Sequence, residues 1–311
     1  MLVFLSDVHF TDGSSGETIK PTAFMIFAEN VRKLADSVKS LEEVRLVLLG
    51  DIFDTIRTTR WLSSPVRPWS NPGPEQEELV GQILQDIIRN NEQSLSELRG
   101  LRLYAQERQV PFGITYVIGN HDWLVNRYAG CRAMVAEALG MARENGPFPV
   151  HLFEREYGVF ARHGDIYDPF NYMGQRDASS IGDAIVIELL NKYPYQVALR
   201  LSDLVSAGAI GEKERAGIAL QLKELDNIRP LLDVPSWVLM VANKTESEAA
   251  RQAIAGAWDD CVEAFFQVPF IQSQDKFIWP DMIDLLQIAL QLSSHISKKM
   301  LEKVAEPVSY T

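Results

Sequence analysis

Four short clusters combine carboxylates, an amide and imidazoles: Asp7-Val8-His9, Gly50-Asp51-Ile52-Phe53-Asp54, Gly119-Asn120-His121-Asp122 and His163-Gly164-Asp165. Oxygen and imidazole donors without a thiolate suit hard or borderline divalent cations. A carboxylate such as Asp51 has two oxygens and can bridge two ions, and Asn120 offers a neutral carbonyl oxygen. Alternation along a strand would send Asp7 and His9 to one side, where they could grip one ion together. Two cations about 3.5–4 Å apart clamp a phosphate and acidify a shared water. Any one of these residues alone reads more simply as a solvated turn or a cap. Their joint order carries the weight.

The elements that must position these clusters are legible as patterns. Leu2–Leu5, Val44–Leu49 and Ile114–Ile118 are compact apolar runs of strand length, each followed by one of the clusters. Such runs read as buried strands of an α/β core, whose ligand sites favour the carboxyl ends of the strands. Between the first two lies an amphipathic helix with Phe24, Phe27, Val31, Leu34 and Val38 at spacings of three and four. A proline-rich loop over 64–74 precedes a long helical segment over 75–108. Residues 149–153 and 158–162 read as a strand pair ahead of His163. Beyond Asp165 the pattern is helical, as in Met282, Leu285, Leu286, Ala289, Leu292 and Ile296. Two domains are expected: a core over 1–165 and a helical insertion or cap over 166–311.

The order of motifs resembles the calcineurin-like metallophosphoesterases, whose pattern runs DxH, GDxxD, GNH[DE], a later His and finally GHxH. The resemblance covers residues 1–165. It implies a metallophosphoesterase-type β-sandwich flanked by helices. It also implies hydrolysis of a phosphate mono- or diester by a hydroxide bridging two divalent metals, with manganese the first choice and iron or zinc the alternatives. Residue by residue, it makes Asp7, His9 and Asp51 ligands of one metal, and Asp51, Asn120 and His163 ligands of the other. His121 would stay off the metals as general acid or charge stabiliser for the leaving oxygen. Asp122 would orient that imidazole, and Asp54 and Asp165 would support the ligands from behind.

His163-Gly164-Asp165 also resembles the subgroup that cleaves the pyrophosphate of UDP-2,3-diacylglucosamine, in which a helical insertion follows the motif. That subgroup commonly carries arginine where this chain has His121. A phosphorylated small molecule or lipid-linked substrate follows from the resemblance. The final GHxH is absent: of five histidines, only His151 and His295 remain unassigned, and neither belongs to an HxH pair. The fold is therefore expected to be incomplete at its C-terminus and turnover to be impaired. A non-catalytic scaffold on the same fold is the competing expectation.

Composition sets the outer limits. The 311 residues are 46% hydrophobic and 23% charged, an ordinary globular balance, with a formal net charge of −12 that disfavours general nucleic-acid binding. Two distant cysteines, Cys131 and Cys261, fit a reducing, cytoplasmic setting. No stretch is long and apolar enough for a transmembrane helix. Bland readings cover the remainder: His151 as a core or edge residue, His295 as an ordinary helix residue, and Glu212–Arg215 as a solvated face. Trp237, Trp258 and Trp279 read as core of the helical part, as do Phe265, Phe266, Phe270 and Phe277.

Overall fold

The computed structural model describes residues 1–142, 146–229, 233–274 and 290. The described chain is mixed α/β and divides into two compact units after Asp183.

The first unit is built on three parallel strands, β1 (Leu2–Leu5), β2 (Val44–Leu49) and β3 (Phe112–Val117), in the order β1-β2-β3. Val3, Leu46 and Ile114 fall in one row across the sheet, and Phe4, Val47 and Thr115 in the next. Helix α1 (Pro21–Ser37) connects β1 to β2, and α2 (Pro74–Asn90) and α3 (Glu92–Glu107) connect β2 to β3. Parallel pairing requires such crossovers. Two shorter helices, α4 (Trp123–Arg127) and α5 (Ala129–Leu139), follow β3. An antiparallel pair, β4 (Leu152–Glu154) and β5 (Val159–Ala161), then leads to His163. The Arg45–Glu154 ion pair ties this ribbon to β2. Among the described residues the strands form this sheet and this ribbon, and the expected sandwich of two sheets is not among them.

Two expectations change for physical reasons. The buried stripe of α1 is Phe24, Ala28, Val31 and Ala35, whereas Leu34 is 57% exposed and Val38 lies past the helix end. Two of the four residues of that stripe are alanines, so it follows small residues as well as large apolar ones. The long helical segment over 75–108 is broken at Asn91. The Asn91 amide donates to the carbonyls of Ile87 and Thr11, both at 2.8 Å, and its oxygen accepts from Thr18 Oγ1 at 2.6 Å. The break therefore fastens the helix pair to the loop that follows His9.

The first unit also runs on past residue 165, where the sequence places the boundary. Residues 166–183 are bound back by Asp165–Arg176, by Arg127 Nε donating to Asp177 at 2.9 Å, and by Trp123 Nε1 donating to Asp183 at 3.1 Å.

The second unit is helical throughout its described residues. A π-helical stretch (Val186–Asn191) runs into α6 (Lys192–Ser206), followed by α7 (Glu212–Leu222), α8 (Val234–Lys244), α9 (Glu248–Phe266) and α10 (Pro269–Gln274). Tyr193, Val197 and Leu201 of α6 and Ile254, Trp258 and Phe265 of α9 belong to its core, as does Trp237 of α8. Trp279, Phe277, His295 and the periodic residues Met282, Leu285, Leu286, Ala289, Leu292 and Ile296 lie outside the described residues. Among the described residues no helix is long and apolar enough to cross a membrane.

Replacing Asn91 with alanine removes the partner of the Thr18 hydroxyl and leaves the buried Thr11 carbonyl with only its bond from Asn90 Nδ2. Asn91→Ala is expected to lower stability by about 1–3 kcal/mol, read as a fall in the urea midpoint. A midpoint within error of the parent would remove Asn91 as the fastener.

Candidate metal centre

The clusters meet at the carboxyl ends of the three parallel strands. The chain does not arrive there by simple strand alternation. β1 stops at Leu5, and Asp7 and His9 each take left-handed backbone, with φ of 54° and 48°; Asp51 does the same at 55°. For residues with a Cβ this conformation costs roughly 1–2 kcal/mol each. A ladder of main-chain bonds holds it: Asp7 N to Gly50 O at 3.2 Å, His9 N to Asp51 O at 2.9 Å, Phe10 N to Ile52 O at 2.8 Å and Asp54 N to Phe10 O at 2.9 Å. The two loops thus extend the β1–β2 pairing beyond the sheet and turn Asp7, His9 and Asp51 into one space.

Glycine is required at two points. A Cβ on Gly119 would lie 2.2 Å from Asp51 Oδ1 and 2.6 Å from Asp51 N. A Cβ on Gly50 (φ 84°) would lie 2.6 Å from the His163 ring. Both absences admit the close approach of a candidate ligand.

The Asp51 carboxylate is the meeting point. It is 3% exposed and accepts the His121 backbone N–H at 2.8 Å through Oδ1. Its Oδ2 lies 3.3 Å from His163 Nε2 and 3.8 Å from His9 Nε2. His163 Nε2 is also 3.2 Å from Asn120 Oδ1. Donors sharing one cation at about 2.1 Å stand roughly 3 Å apart, so these separations suit common coordination. Donor atoms of Asp7, Asp51 and His163 all lie within 4.8 Å of one another, and so do those of His9, Asp51 and His121. Asp51 belongs to both groups.

All five residues expected as ligands therefore gather, but their partition differs from the expected one. Asp7 stands with His163, and His9 with His121. His121, expected off the metals, is within reach of coordination.

The imidazoles are oriented from behind. His163 Nδ1 donates to the Leu49 carbonyl at 3.0 Å, which leaves Nε2 its lone pair. Asp54, 1% exposed, holds His9 Nδ1 at 2.8 Å with one oxygen and His121 Nδ1 at 2.9 Å with the other. The two rings meet edge to face, 4.8 Å between centroids. Such carboxylate–imidazole pairs fix tautomer and direction in metal sites.

Asp122 does not hold His121 as the sequence suggested. Its carboxylate accepts from Gly119 N at 2.7 Å, Ile52 N at 3.1 Å and Tyr116 Oη at 2.6 Å, which staples the β2 and β3 loops together. Asp54 sits on the same turn as Asp51 and is therefore the carboxylate within reach of both rings. Asp165 is taken up by Arg176. His151 is exposed, outside the strands, with its ring centroid 5.6 Å from that of Phe160.

Asp183 went unread in the sequence. Buried, it accepts from Trp123 Nε1 at 3.1 Å and Ser179 Oγ at 2.7 Å, and it interacts electrostatically with His121. Its signal is a reciprocal cap: Ser180 N donates to Asp183, and Asp183 N to Ser180 Oγ. That pattern announces a helix start and not a site.

Charge is concentrated here against the cost of burial. Burial alone would raise Asp51 and Asp54, yet His121, His163 and His9 hold Asp51 below the usual carboxylate range, and His121 and His9 do the same for Asp54. Burial would lower the imidazoles, but Asp54 and Asp51 push His121 up to about 10, and Asp51 pushes His163 up to about 9. Burial and the Asp51 charge raise Asp122 to about 6, and burial raises Asp183 to about 6. Clustered, dehydrated carboxylates demand positive charge, which divalent cations meet through the same oxygen and nitrogen donors. The donor set fits such ions.

Comparison with protein-family models, with curated proteins and with solved structures yields no match.

Gly119→Ala drives a methyl into the Asp51 carboxylate and main chain. It is expected to cost at least about 2 kcal/mol, visible as a lower melting temperature. Gly217→Ala, exposed in mid-helix with nothing within 4 Å of the added carbon, is expected to gain about 0.5–1 kcal/mol. If both shifted the midpoint alike, the tight approach of Gly119 to Asp51 would not hold.

Proposed function

We propose that this chain is a metal-dependent phosphoesterase of the calcineurin-like kind. The observation that carries the reading is the single buried carboxylate of Asp51, shared by two donor groups at the ends of three parallel strands. Asp7, Asp51, Asn120 and His163 would hold one divalent cation, and His9 and Asp51 the other, with manganese the first choice and iron or zinc the alternatives. When bound, two such ions supply Lewis acidity and a water acidified to near neutral pH.

The protein's own side chains do the remaining work. Asp54 fixes the directions of His9 and His121, and the Leu49 carbonyl fixes that of His163. His121, with its proton affinity raised by Asp54 and Asp51, meets the charge that builds on the leaving oxygen and donates its proton there. On this reading the three-stranded sheet is one layer of a two-sheet sandwich, and the substrate is a phosphorylated small molecule or a lipid-linked one. Both cysteines are buried and unpaired, which suits a reducing, cytoplasmic setting.

A scaffold without turnover is the second reading, and one observation favours it. Among the described residues only His9, His121 and His163 bring imidazoles to the centre, so two ions would be served sparingly.

Metal analysis after equilibration with Mn²⁺, together with hydrolysis of p-nitrophenyl phosphate and its bis ester, separates the two. The enzyme is expected to hold up to two ions per chain and to turn over at least one ester; a scaffold holds fewer than one and turns over neither. Asp51→Asn is expected to abolish turnover and lower metal content. His121→Ala is expected to retain the metal and to cut turnover by roughly 10²–10⁴-fold. If an ion left with it, His121 would be a ligand and the assigned proton donor would be wrong.

A further inference from the structure

The loops that carry His9 and Asp54 do not end at the candidate centre. They continue into a cavity of about 570 Å³ whose walls include Asp12, Ser14, Thr59, Arg60, Asp86 and Arg89. His9 and Asp54 join the two loops at 2.8 Å, and a second clasp joins them at the cavity. There Thr58 Oγ1 donates to Asp12 Oδ2 at 2.5 Å, and Thr59 N donates to Ser14 Oγ at 3.0 Å. The third wall is the last turn of α2, where Asn90 Nδ2 donates to Thr11 O at 3.0 Å. Asp12 lies three steps along the chain from His9, so their Cα atoms are at most about 11 Å apart. Cavity and centre share one rigid frame.

The chemistry of the walls is donor-rich. Arg60 and Arg89 both pair with the single carboxylate of Asp86, one on each oxygen. Each guanidinium has about five N–H donors, so most of these donors exceed what two oxygens can accept. Asp12 does not redress this, because it already accepts from Ser14 N at 2.9 Å, Ser14 Oγ at 2.7 Å and Thr58. The Arg89 side chain is 76% exposed and lines the cavity. A planar fork with spare donors matches an anionic oxygen pair, as in phosphate or carboxylate.

We propose that this cavity binds a second anionic group of the substrate, apart from the phosphoester at the candidate centre. The chain thereby selects organic phosphates that carry two anionic ends. This inference rests on the phosphoesterase reading for the identity of the first group, but the cavity itself is testable by binding alone.

Isothermal titration of the full chain in Mn²⁺ with fructose bisphosphate, which has a phosphate at each end of a six-carbon chain, reads the pocket against fructose monophosphate. The parent is expected to bind the bisphosphate at least about tenfold more tightly than the monophosphate, the scale of one charge-assisted hydrogen-bond pair. Arg60→Gln and Arg89→Gln are each expected to remove most of that ratio, with melting temperatures confirming that both variants fold. Equal affinities in the parent, or a ratio unchanged in both variants, would overturn the proposal. An arginine-dependent ratio in a chain that hydrolyses no phosphoester would uphold the pocket and sink the hydrolase reading alone.

Discussion

Asp51 brings a charge into a place where the strands leave almost no water, and the surrounding structure is arranged around that cost. Its carboxylate is met by a backbone N–H from the β3 loop, approached by two imidazoles, and admitted at all only because Gly119 has no side chain. An isolated buried carboxylate would take up a proton. Here the neighbouring imidazoles keep it ionised, and it in turn raises the proton affinity of His121 and His163. The fold thus brings to one point groups that would separate if any partner were removed.

A second carboxylate settles direction where the first settles charge. Asp54 divides its two oxygens between His9 and His121 and also accepts the main-chain N–H groups of Ile56 and Arg57, at 3.1 and 2.9 Å. The turn that makes it an anchor also ties it to the loop beyond, so ring orientation and loop shape are one constraint. Asp122 plays a comparable part for the backbone, joining the β2 and β3 loops through three donors. Two carboxylates adjacent to candidate ligands therefore do different work, and the partner each can reach decides which.

Much of this was legible in the sequence, and the failures have definite causes. The apolar runs before Asp7, Asp51 and Asn120 are strands in parallel register, although only β2 is largely buried and Phe4 of β1 is 41% exposed. The gathering of Asp7, His9, Asp51, Asn120 and His163 followed from motif order. Partition between the two donor groups did not, since it depends on left-handed backbone at Asp7 and His9 that no periodicity reveals. The role given to Asp122 went to Asp54 because sequence adjacency to His121 is a poor guide to which oxygen faces the ring. Leu34 was misplaced because α1 packs through alanines, whose small size carries little hydrophobic signal. Asp183 was missed because its pattern is that of a helix cap.

The three left-handed residues carry a further meaning. Together they cost a few kcal/mol, a sizeable share of the roughly 5–15 kcal/mol by which a folded chain typically outlasts its unfolded ensemble. Glycine or asparagine would relieve most of that strain, and neither would hold a cation as aspartate and histidine do. Drift toward greater thermal endurance therefore runs downhill through these positions, toward a sturdier molecule with a blunted centre. A chain that keeps Asp7, His9 and Asp51 in this backbone retains donors whose placement stability alone does not favour.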